Sequence, residues 1–307
     1  MRRLSLFSVL LPAGFWSCDP DAGLRGASNG LAARPAPAEV CEAASLRREL
    51  PVAIRETSGL TWSRSGTSFL WTHNDSGNEP ILYAIDTTGA LLGQVTVTGA
   101  FLVDWEDIAA GPCDGKTCLF VADIGDNARA RAMIAIYVVP EPAPDAGKTD
   151  SAIALFARYP EGAQDAEAIF VLPDGDIYLV TKGRQAGIAL YRLPKTAQQP
   201  GNLATLERVR SLWPQPHRER DRVTGAAASP DGNWVAIRTY RTLFLFPTQQ
   251  LIGKGKASPA RFDLSPLKER QGESVALSDN GQVWLTTEAE RRRDRPALTQ
   301  LRCRLGG

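Results

Sequence analysis

The sequence is poor in the residues and motifs on which enzyme active sites most often depend. Only two of its 307 residues are histidine, His73 and His217. Apart from GASNG at residues 26–30, in a stretch rich in Ala, Gly and Pro, it has no G-x-S-x-G match, and it has no P-loop, no H-E-x-x-H zinc motif and no G-x-G-x-x-G dinucleotide fingerprint. These absences exclude the common signatures of hydrolases, P-loop nucleotidases, zinc proteases and dinucleotide-dependent oxidoreductases.

An excess of charge of either sign is also missing. The chain has 35 Lys and Arg against 34 Asp and Glu, a formal net charge of +1. Removing residues 1–18 takes away Arg2 and Arg3 and no acid, which leaves the remainder close to neutral. This balance gives no reason to expect a nucleic acid or an anionic membrane surface as partner.

The one notable apolar run lies at the N-terminus. Residues 1–18, MRRLSLFSVLLPAGFWSC, combine a basic start, an apolar stretch and a small residue before Cys18. This is the layout of an export signal, and it is too short to span a membrane. Its end resembles a bacterial lipobox, which implies a lipidated Cys18 and anchoring on the periplasmic or cell-surface side of a membrane. A plain secretory signal cut nearby is the alternative. Residues 19–39, rich in Ala, Gly and Pro, predict a flexible tether.

Cysteine is scarce, and its placement favours disulfides. Five cysteines become four if Cys18 carries lipid, and four can form two bridges. Cys113 and Cys118 flank the turn-forming tetrapeptide DGKT, while Cys41 and Cys303 lie at the two ends of the folded region. The alternative is a zinc site, but a C-x4-C pair in a chain with two histidines is a poor ligand set.

Helical periodicity is absent, and β-rich repeats take its place. Five segments begin with a short polar-then-apolar stretch that is followed by a second β-rich run, and their anchor residues are Ser58, Glu106, Glu167, Thr224 and Glu273. The anchors are spaced by 48, 61, 57 and 49 residues, close to the roughly 40 to 50 residues of a four-stranded propeller blade. The sequence therefore predicts an all-β protein whose residues 40–307 form one β-propeller of five blades. Six or seven blades stay open if divergent repeats are present.

The fifth repeat runs out of chain after its third strand. The segment from about Val40 to Val52 can supply the missing outer strand, which leaves no open sheet edge. This closure brings Cys41 near Cys303, so we expect these two cysteines to pair, and Cys113 to pair with Cys118.

The repeat motifs resemble those of known propellers. The starts SGL, EDIA and EAI, with PDGDIYLVT after the third, are similar to the exported β-propellers of the SdiA-regulated and esterase-like phytase families, and to NHL-type propellers generally. The likeness extends over most of residues 52–290. It implies a propeller in the cell envelope, with calcium and phosphate-ester chemistry as one option.

The anchors predict a ring of side chains in the central channel, because the first strand of each propeller blade lines that channel. Three glutamates facing one narrow channel repel one another, so they need a cation, basic neighbours or raised pKa values. The ends of the second strands add possible partners, namely His73, Asn74, Asp123, Lys182, Arg184, Arg238 and Glu288. The ring is either a ligand pocket at one channel mouth or a self-satisfied polar plug.

The stretch DWEDIAAGPCDGKTCLFVADIGDN, residues 104–127, is the richest in acids. Its oxygen ligands suit Ca²⁺, and the predicted ligands are Asp75, Glu106, Asp107, Asp123, Asp126 and Asn127. The alternative is ordinary turn chemistry, since Asn, Asp and Gly are the residues that β-turns select.

Two functions from different classes follow. The preferred one, because catalytic motifs are missing, is a non-catalytic, envelope-tethered binding or scaffold propeller with a protein or saccharide partner. The alternative is a Ca²⁺-dependent phosphoesterase in which the metal polarises the phosphoryl group and activates water. Its candidate metal or catalytic residues are Glu106, Glu167, Glu273, Asp123 and His73, and its candidate ligand-binding residues are Lys182, Arg184, Arg238 and Glu288.

Overall fold

The computed structural model of the chain describes residues 40–43, 47–66, 68–289 and 295–305. The predicted signal peptide, the tether and the lipidation of Cys18 lie outside these residues. Within the described ranges, no helix is long and apolar enough to cross a membrane.

Five antiparallel four-stranded sheets, numbered here as blades 1 to 5 in the order of their innermost strands, confirm the predicted β-propeller. Blade 1 consists of β3 (Thr57–Trp62), β4 (Phe69–Asn74), β5 (Ile81–Asp86) and β6 (Leu91–Thr96). Blade 2 consists of β7 (Trp105–Cys113), β8 (Lys116–Asp123), β9 (Ile134–Pro140) and β10 (Ile153–Arg158). Blade 3 consists of β11 (Ala166–Val171), β12 (Ile177–Thr181), β13 (Ile188–Leu193) and β15 (Glu207–Trp213).

The last two blades complete the ring. Blade 4 consists of β16 (Val223–Ala228), β17 (Trp234–Thr239), β18 (Thr242–Pro247) and β19 (Ala260–Asp263). Blade 5 consists of β20 (Gly272–Leu277), β21 (Gln282–Thr287), β22 (Ala297–Cys303), and the N-terminal strands β1 (Cys41–Ala43) and β2 (Arg48–Glu49). In the residues that the structure describes, helical structure is confined to α1 (Thr248–Ile252) and three 3₁₀ turns (Lys195–Ala197, Glu219–Asp221 and Ser265–Leu267).

The burial of each strand follows from its place in the blade. The second strand is buried on both faces, because a neighbouring blade packs on each side, so every residue of β4 and β12 is buried. In the outer strand β6 only Val95 is fully buried, because one face of a strand at the rim of the propeller is exposed to solvent. The apolar clusters accordingly lie between neighbouring blades, with cluster members drawn from both.

The predicted closure by the N-terminal strand is confirmed. β1 pairs antiparallel with β22 in a register that sets Cys41 opposite Cys303, and the two cysteines form a disulfide. Blades 1 and 5 are further joined by Trp62 and Trp284, whose rings stack at a centroid distance of 4.5 Å. The ring is thus closed by hydrogen bonds, a covalent bond and an aromatic contact.

The second predicted disulfide closes a hairpin. Cys113 and Cys118 are bonded across β7 and β8, which are joined by Asp114 and Gly115. Both turn residues have positive φ, 44° and 75°, which is the two-residue turn that matches the twist of the flanking strands. The sequence Asp-Gly is suited to that turn because glycine adopts positive φ without steric cost.

One strand was missed by the repeat analysis. β14 (Leu203–Thr205) pairs parallel with β10 and adds a fifth strand to the outer edge of blade 2. It belongs to the connection between the third and fourth strands of blade 3 but pairs with blade 2, so a repeat pattern of four strands per blade does not reveal it.

Candidate functional site: an acidic channel mouth

The innermost strands β3, β7, β11, β16 and β20 contact one another in sequence around the channel. Each begins at the end of the channel where the second strand of its own blade ends, because the pairing within each blade is antiparallel. We call this end the entry mouth. It is formed by the first residues of the five innermost strands and by the loops that precede them or follow the second strands.

A β-bulge interrupts the innermost strand of every blade at the same place. In blades 1 to 4, the residue that has no partner on the neighbouring strand is the anchor residue of the repeat. In blade 5, two consecutive residues have no partner, and one of them is the anchor. The anchors are Ser58, Glu106, Glu167, Thr224 and Glu273. A bulged residue is freed from the pleat and its side chain is re-aimed. The bulges therefore explain how one position per repeat contributes to the predicted ring.

The tightest group of acids at the entry mouth is formed by Asp75, Asp104 and Glu106. One carboxylate oxygen from each lies within 4.8 Å of the others. Asp75 follows β4 of blade 1, whereas Asp104 and Glu106 belong to the start of blade 2. Three hard oxygen ligands converging from two blades form a partial coordination shell for a divalent cation such as Ca²⁺.

Gly125 makes room for this group. It follows β8, and its backbone N–H donates to the carbonyl oxygen of Asp104 at 3.2 Å. A Cβ atom at this position would overlap both Glu106 Oε1 and Asp104 Oδ2. The two carboxylates therefore pack directly against the backbone of Gly125, and any larger residue at this position would collide with them.

The Glu106 carboxylate is buried, and the positive charge of Lys182, which is paired with Glu167, offsets the cost of its burial only in part. Glu106 is 6% exposed, and within the described ranges its carboxylate receives no hydrogen bond and contacts no basic group. Burial, followed by the charges of Glu167 and Asp75, raises the pKa of Glu106 well above its usual value. Burial likewise raises the pKa values of Asp75 and Asp104. A bound cation would supply the missing charge.

Further acids surround the metal candidates. Glu167 forms a salt bridge with Lys182 across β11 and β12. Burial nevertheless raises the pKa of Glu167 to about 8, that of Glu273 to about 7 and that of Glu288 to about 9. Lys182 keeps its proton, since the carboxylates of Glu167 and Glu106 outweigh its desolvation and raise its pKa. The mouth thus has more acidic than basic side chains, and its buried acids hold their protons more tightly than usual.

Asp107, a predicted metal ligand, lies deeper in the channel and serves the backbone. It is fully buried, and its carboxylate oxygens accept the N–H groups of Ile108 at 2.8 Å, Ile169 at 3.0 Å and Ala226 at 3.2 Å. These donors belong to blades 2, 3 and 4. The carboxylate therefore links innermost strands, as the polar-plug alternative describes, and the structure does not bring it into the acidic group.

The other predicted calcium ligands are held in loop contacts. Asp123 forms a salt bridge of 2.7 Å with Arg131 and accepts the backbone N–H of Val103 at 3.0 Å. Asp126 accepts the backbone N–H groups of Ala130 and Arg131 at 2.9 and 2.8 Å, in agreement with turn chemistry. The Asn127 side-chain oxygen accepts a hydrogen bond from Arg184. These residues border the acidic group without joining it.

Two of the residues predicted to act on a ligand are enclosed by protein. Arg238 is fully buried and donates to the carbonyl oxygens of Ser274 at 2.8 Å and Thr286 at 2.9 Å, while it pairs with Glu269. His73 is fully buried, with Nδ1 3.0 Å from the carbonyl oxygen of Asn74, and desolvation lowers its pKa to about 4. Both side chains lie behind the surface of the entry mouth.

The sequence analysis missed Asp104 as a site residue, although it opens the acidic stretch. Its contribution depends on Asp75 of the preceding blade and on Gly125, 21 residues further along the chain. The signal in the sequence was a pair of motifs. DWED precedes and starts β7, and DIGDN, in which Gly125 stands between acids, starts at the end of β8, the strand that pairs with β7.

Comparisons with known proteins give no identity. No protein-family model matches the sequence, and no curated protein matches it. Among solved structures, the PQQ-bound aldose sugar dehydrogenase from Streptomyces coelicolor is 12% identical, with a TM-score of 0.49 over 86% of this chain and 98% of that chain. A gluconolactonase from Xanthomonas campestris is 18% identical, with a TM-score of 0.44 over 83% of each chain. The periplasmic gluconolactonase of Pseudomonas aeruginosa is 16% identical, with a TM-score of 0.37 over 80% of this chain and 71% of that chain. Such values transfer no activity, substrate or cofactor to this chain.

Proposed function

We propose that this protein is an exported binding propeller that holds a divalent cation, Ca²⁺ in the first instance, at its entry mouth and binds a hydroxyl-rich ligand such as a saccharide there. The observation that carries the proposal is the convergence of Asp75, Asp104 and the unpartnered Glu106 against Gly125. Three carboxylates this close repel one another unless a cation lies between them. A Ca²⁺ ion takes six to eight oxygen ligands, so one that these carboxylates bind has coordination positions left for oxygens of the ligand.

Export is supported by the disulfides. Cys41–Cys303 and Cys113–Cys118 both require an oxidising compartment to persist. The lipid anchor at Cys18 stays a prediction, and retention of the protein in the membrane fraction, lost in Cys18→Ala, is the measurement that checks it.

The second candidate is a Ca²⁺-dependent hydrolase. It is favoured by the raised pKa values of Glu167 and Glu288 beside the metal candidates, since groups that titrate near neutral pH cluster at catalytic sites. In its phosphoesterase form it needs cationic side chains for the substrate oxygens. Of the cationic side chains predicted for this role, Lys182 is paired with Glu167 and Arg238 is enclosed by protein, so neither is free to hold a phosphate beside the acidic group, and the geometry supports the binding function better.

The experiment is a calcium titration of residues 38–307, purified with disulfides intact, by calorimetry with thermal unfolding in parallel. We expect a dissociation constant below about 10 µM and a rise in Tm with calcium, because a ligand that binds only the folded state stabilises it by mass action. Glu106→Gln and Gly125→Ala should each abolish both effects. The matched control is Asp145→Asn, an exposed acid in the β9–β10 loop on the opposite face. Absence of heat and of a Tm shift at millimolar calcium would refute the cation site.

The double variant Glu106→Gln/Glu167→Gln distinguishes the two candidates. A phosphate-ester and sugar-ester screen on the same samples should show no turnover if the binding function holds. Calcium-dependent turnover that the double variant loses, and that Asp145→Asn keeps, would establish the hydrolase instead.

A further inference from the structure

The entry mouth has a basic side that the cation site does not use. The loop between β15 and β16 carries Arg218 and Arg220, and the loop before β20 carries Arg270 and Gln271. Together with Glu219 and Tyr240 these residues line a cavity of about 590 Å³. This volume is within the range of small-molecule sites, roughly 300 to 1,000 Å³.

Tyr240 connects this cavity to the acids of the mouth. Burial and the nearby carboxylates of Glu273, Glu167 and Glu288 raise its pKa, so the phenol stays protonated and can donate a hydrogen bond. Gln271, on the same wall, donates to Glu288 at 2.6 Å. The cavity is therefore lined by arginines together with Glu219, and Gln271 links it to the carboxylate of Glu288. Arg220 also lies 3.7 Å from the carboxylate of its neighbour Asp221, at the surface.

The two sides require different groups from a ligand. Guanidinium groups recognise planar carboxylates by paired N–H···O bonds, whereas carboxylates accept hydrogen bonds from hydroxyl groups. The chemistry thus selects a small molecule with one carboxylate and several hydroxyl groups.

We propose that the cavity lined by Arg218, Arg220 and Tyr240 is a subsite for the carboxylate of a sugar acid, whose hydroxyl groups extend towards the acidic mouth. This inference rests on the proposed binding function, whose ligand class it makes specific. It also requires that ligand binding and calcium binding reinforce each other, because the cation offsets the repulsion between the ligand's carboxylate and the mouth.

The test is calorimetry with glucuronate as probe, in calcium and in EDTA, compared with methyl glucoside and glucose 6-phosphate. We expect glucuronate to bind in calcium at least about tenfold more tightly than the other two, the factor that one lost charged hydrogen-bonding pair gives. Arg218→Gln/Arg220→Gln should lose this preference and retain calcium binding. The matched control is Lys254→Gln/Lys256→Gln, which makes the same change of charge in an exposed loop on the opposite face.

Each outcome has one meaning. Equal glucuronate affinity in the arginine and lysine double variants, or no binding of glucuronate at all, would overturn the subsite. Tighter binding of glucose 6-phosphate would overturn the choice of carboxylate. Failure of the cation site appears separately, as glucuronate binding that depends on the arginines but is the same in calcium and in EDTA, or as the absence of calcium binding in the unmodified protein.

Discussion

The bond between Cys41 and Cys303 should contribute far more to stability than the bond between Cys113 and Cys118. In the chain-entropy description, a disulfide stabilises a protein by restricting its unfolded chain, and the effect grows with the logarithm of the loop that it closes. The two bridges span 262 and 5 residues.

The magnitudes follow from those loops. The loop of 262 residues corresponds to about 5.6 kcal/mol at 25 °C and the loop of 5 residues to about 2 kcal/mol. The expected difference of about 3.5 kcal/mol is more dependable than either value, because constants common to both bridges cancel. The loss of Cys41–Cys303 also leaves β1, three residues long, held to β22 by hydrogen bonds alone.

The assay is urea unfolding of Cys41→Ser/Cys303→Ser and Cys113→Ser/Cys118→Ser, followed by tryptophan fluorescence. Trp62 and Trp284 report on the interface between the first and last blades, because they stack across it. We expect the first variant to unfold at a clearly lower urea concentration with a similar slope. Equal destabilisation of the two variants, or a greater loss in the second, would refute the reasoning that ring closure is the main contribution.

Three further predictions follow from the mouth and the channel. Asp107→Ala should lower the free energy of unfolding by about 3 kcal/mol or more, because it leaves buried backbone N–H groups without an acceptor. Asp107→Asn should lower the free energy of unfolding, measured in urea, by less, and it should leave calcium binding intact. Loss of calcium binding in Asp107→Asn would show that Asp107 is a ligand. Without calcium, Glu106→Gln should raise the Tm by about 2–4 °C, equivalent to about 1 kcal/mol in a domain of this size, because it removes an unpaired buried carboxylate; a lower Tm in scanning calorimetry would contradict this. In EDTA, stability should fall as the pH rises from about 5 to 9, because the folded-state pKa of Glu288, about 9, exceeds its unfolded value and the folded state binds more protons in that range. His73 contributes in the opposite direction: its part of the stability falls as the pH drops from about 6.5 to 4, because His73, with a folded-state pKa of about 4, resists the proton that the unfolded chain accepts. This contribution opposes that of Glu288 between about pH 5 and 6.5, and Glu288→Gln should flatten the alkaline side of the Tm profile only.

The architecture was predictable because a propeller repeats itself. The recurrence of SGL, EDIA and EAI locates the innermost strands, and a fifth repeat without an outer strand implies closure by the N-terminus, which β1 confirms. The extra strand β14 escaped because its partner β10 belongs to another repeat, and a pairing between distant segments leaves no periodic signal.

The site was predictable only in outline. The repeats place Glu106 in the channel, but whether a nearby acid binds a cation or the backbone depends on backbone geometry. Asp107, the residue after the bulge, points to the N–H groups of other blades, whereas Glu106, on the bulge, meets Asp75 and Asp104. Adjacent letters in DWED thus have different surroundings, and neither composition nor spacing distinguishes them.

The five bulges have a consequence for how such a protein acquires new specificities. Because a bulged residue is skipped by the ladder, its side chain can be exchanged without altering the strand pairing that holds the blade together. Blades 1 and 4 carry Ser58 and Thr224 where the other three carry glutamate. Mutation and selection can therefore change the five positions of the ring while the blades keep their strand pairing.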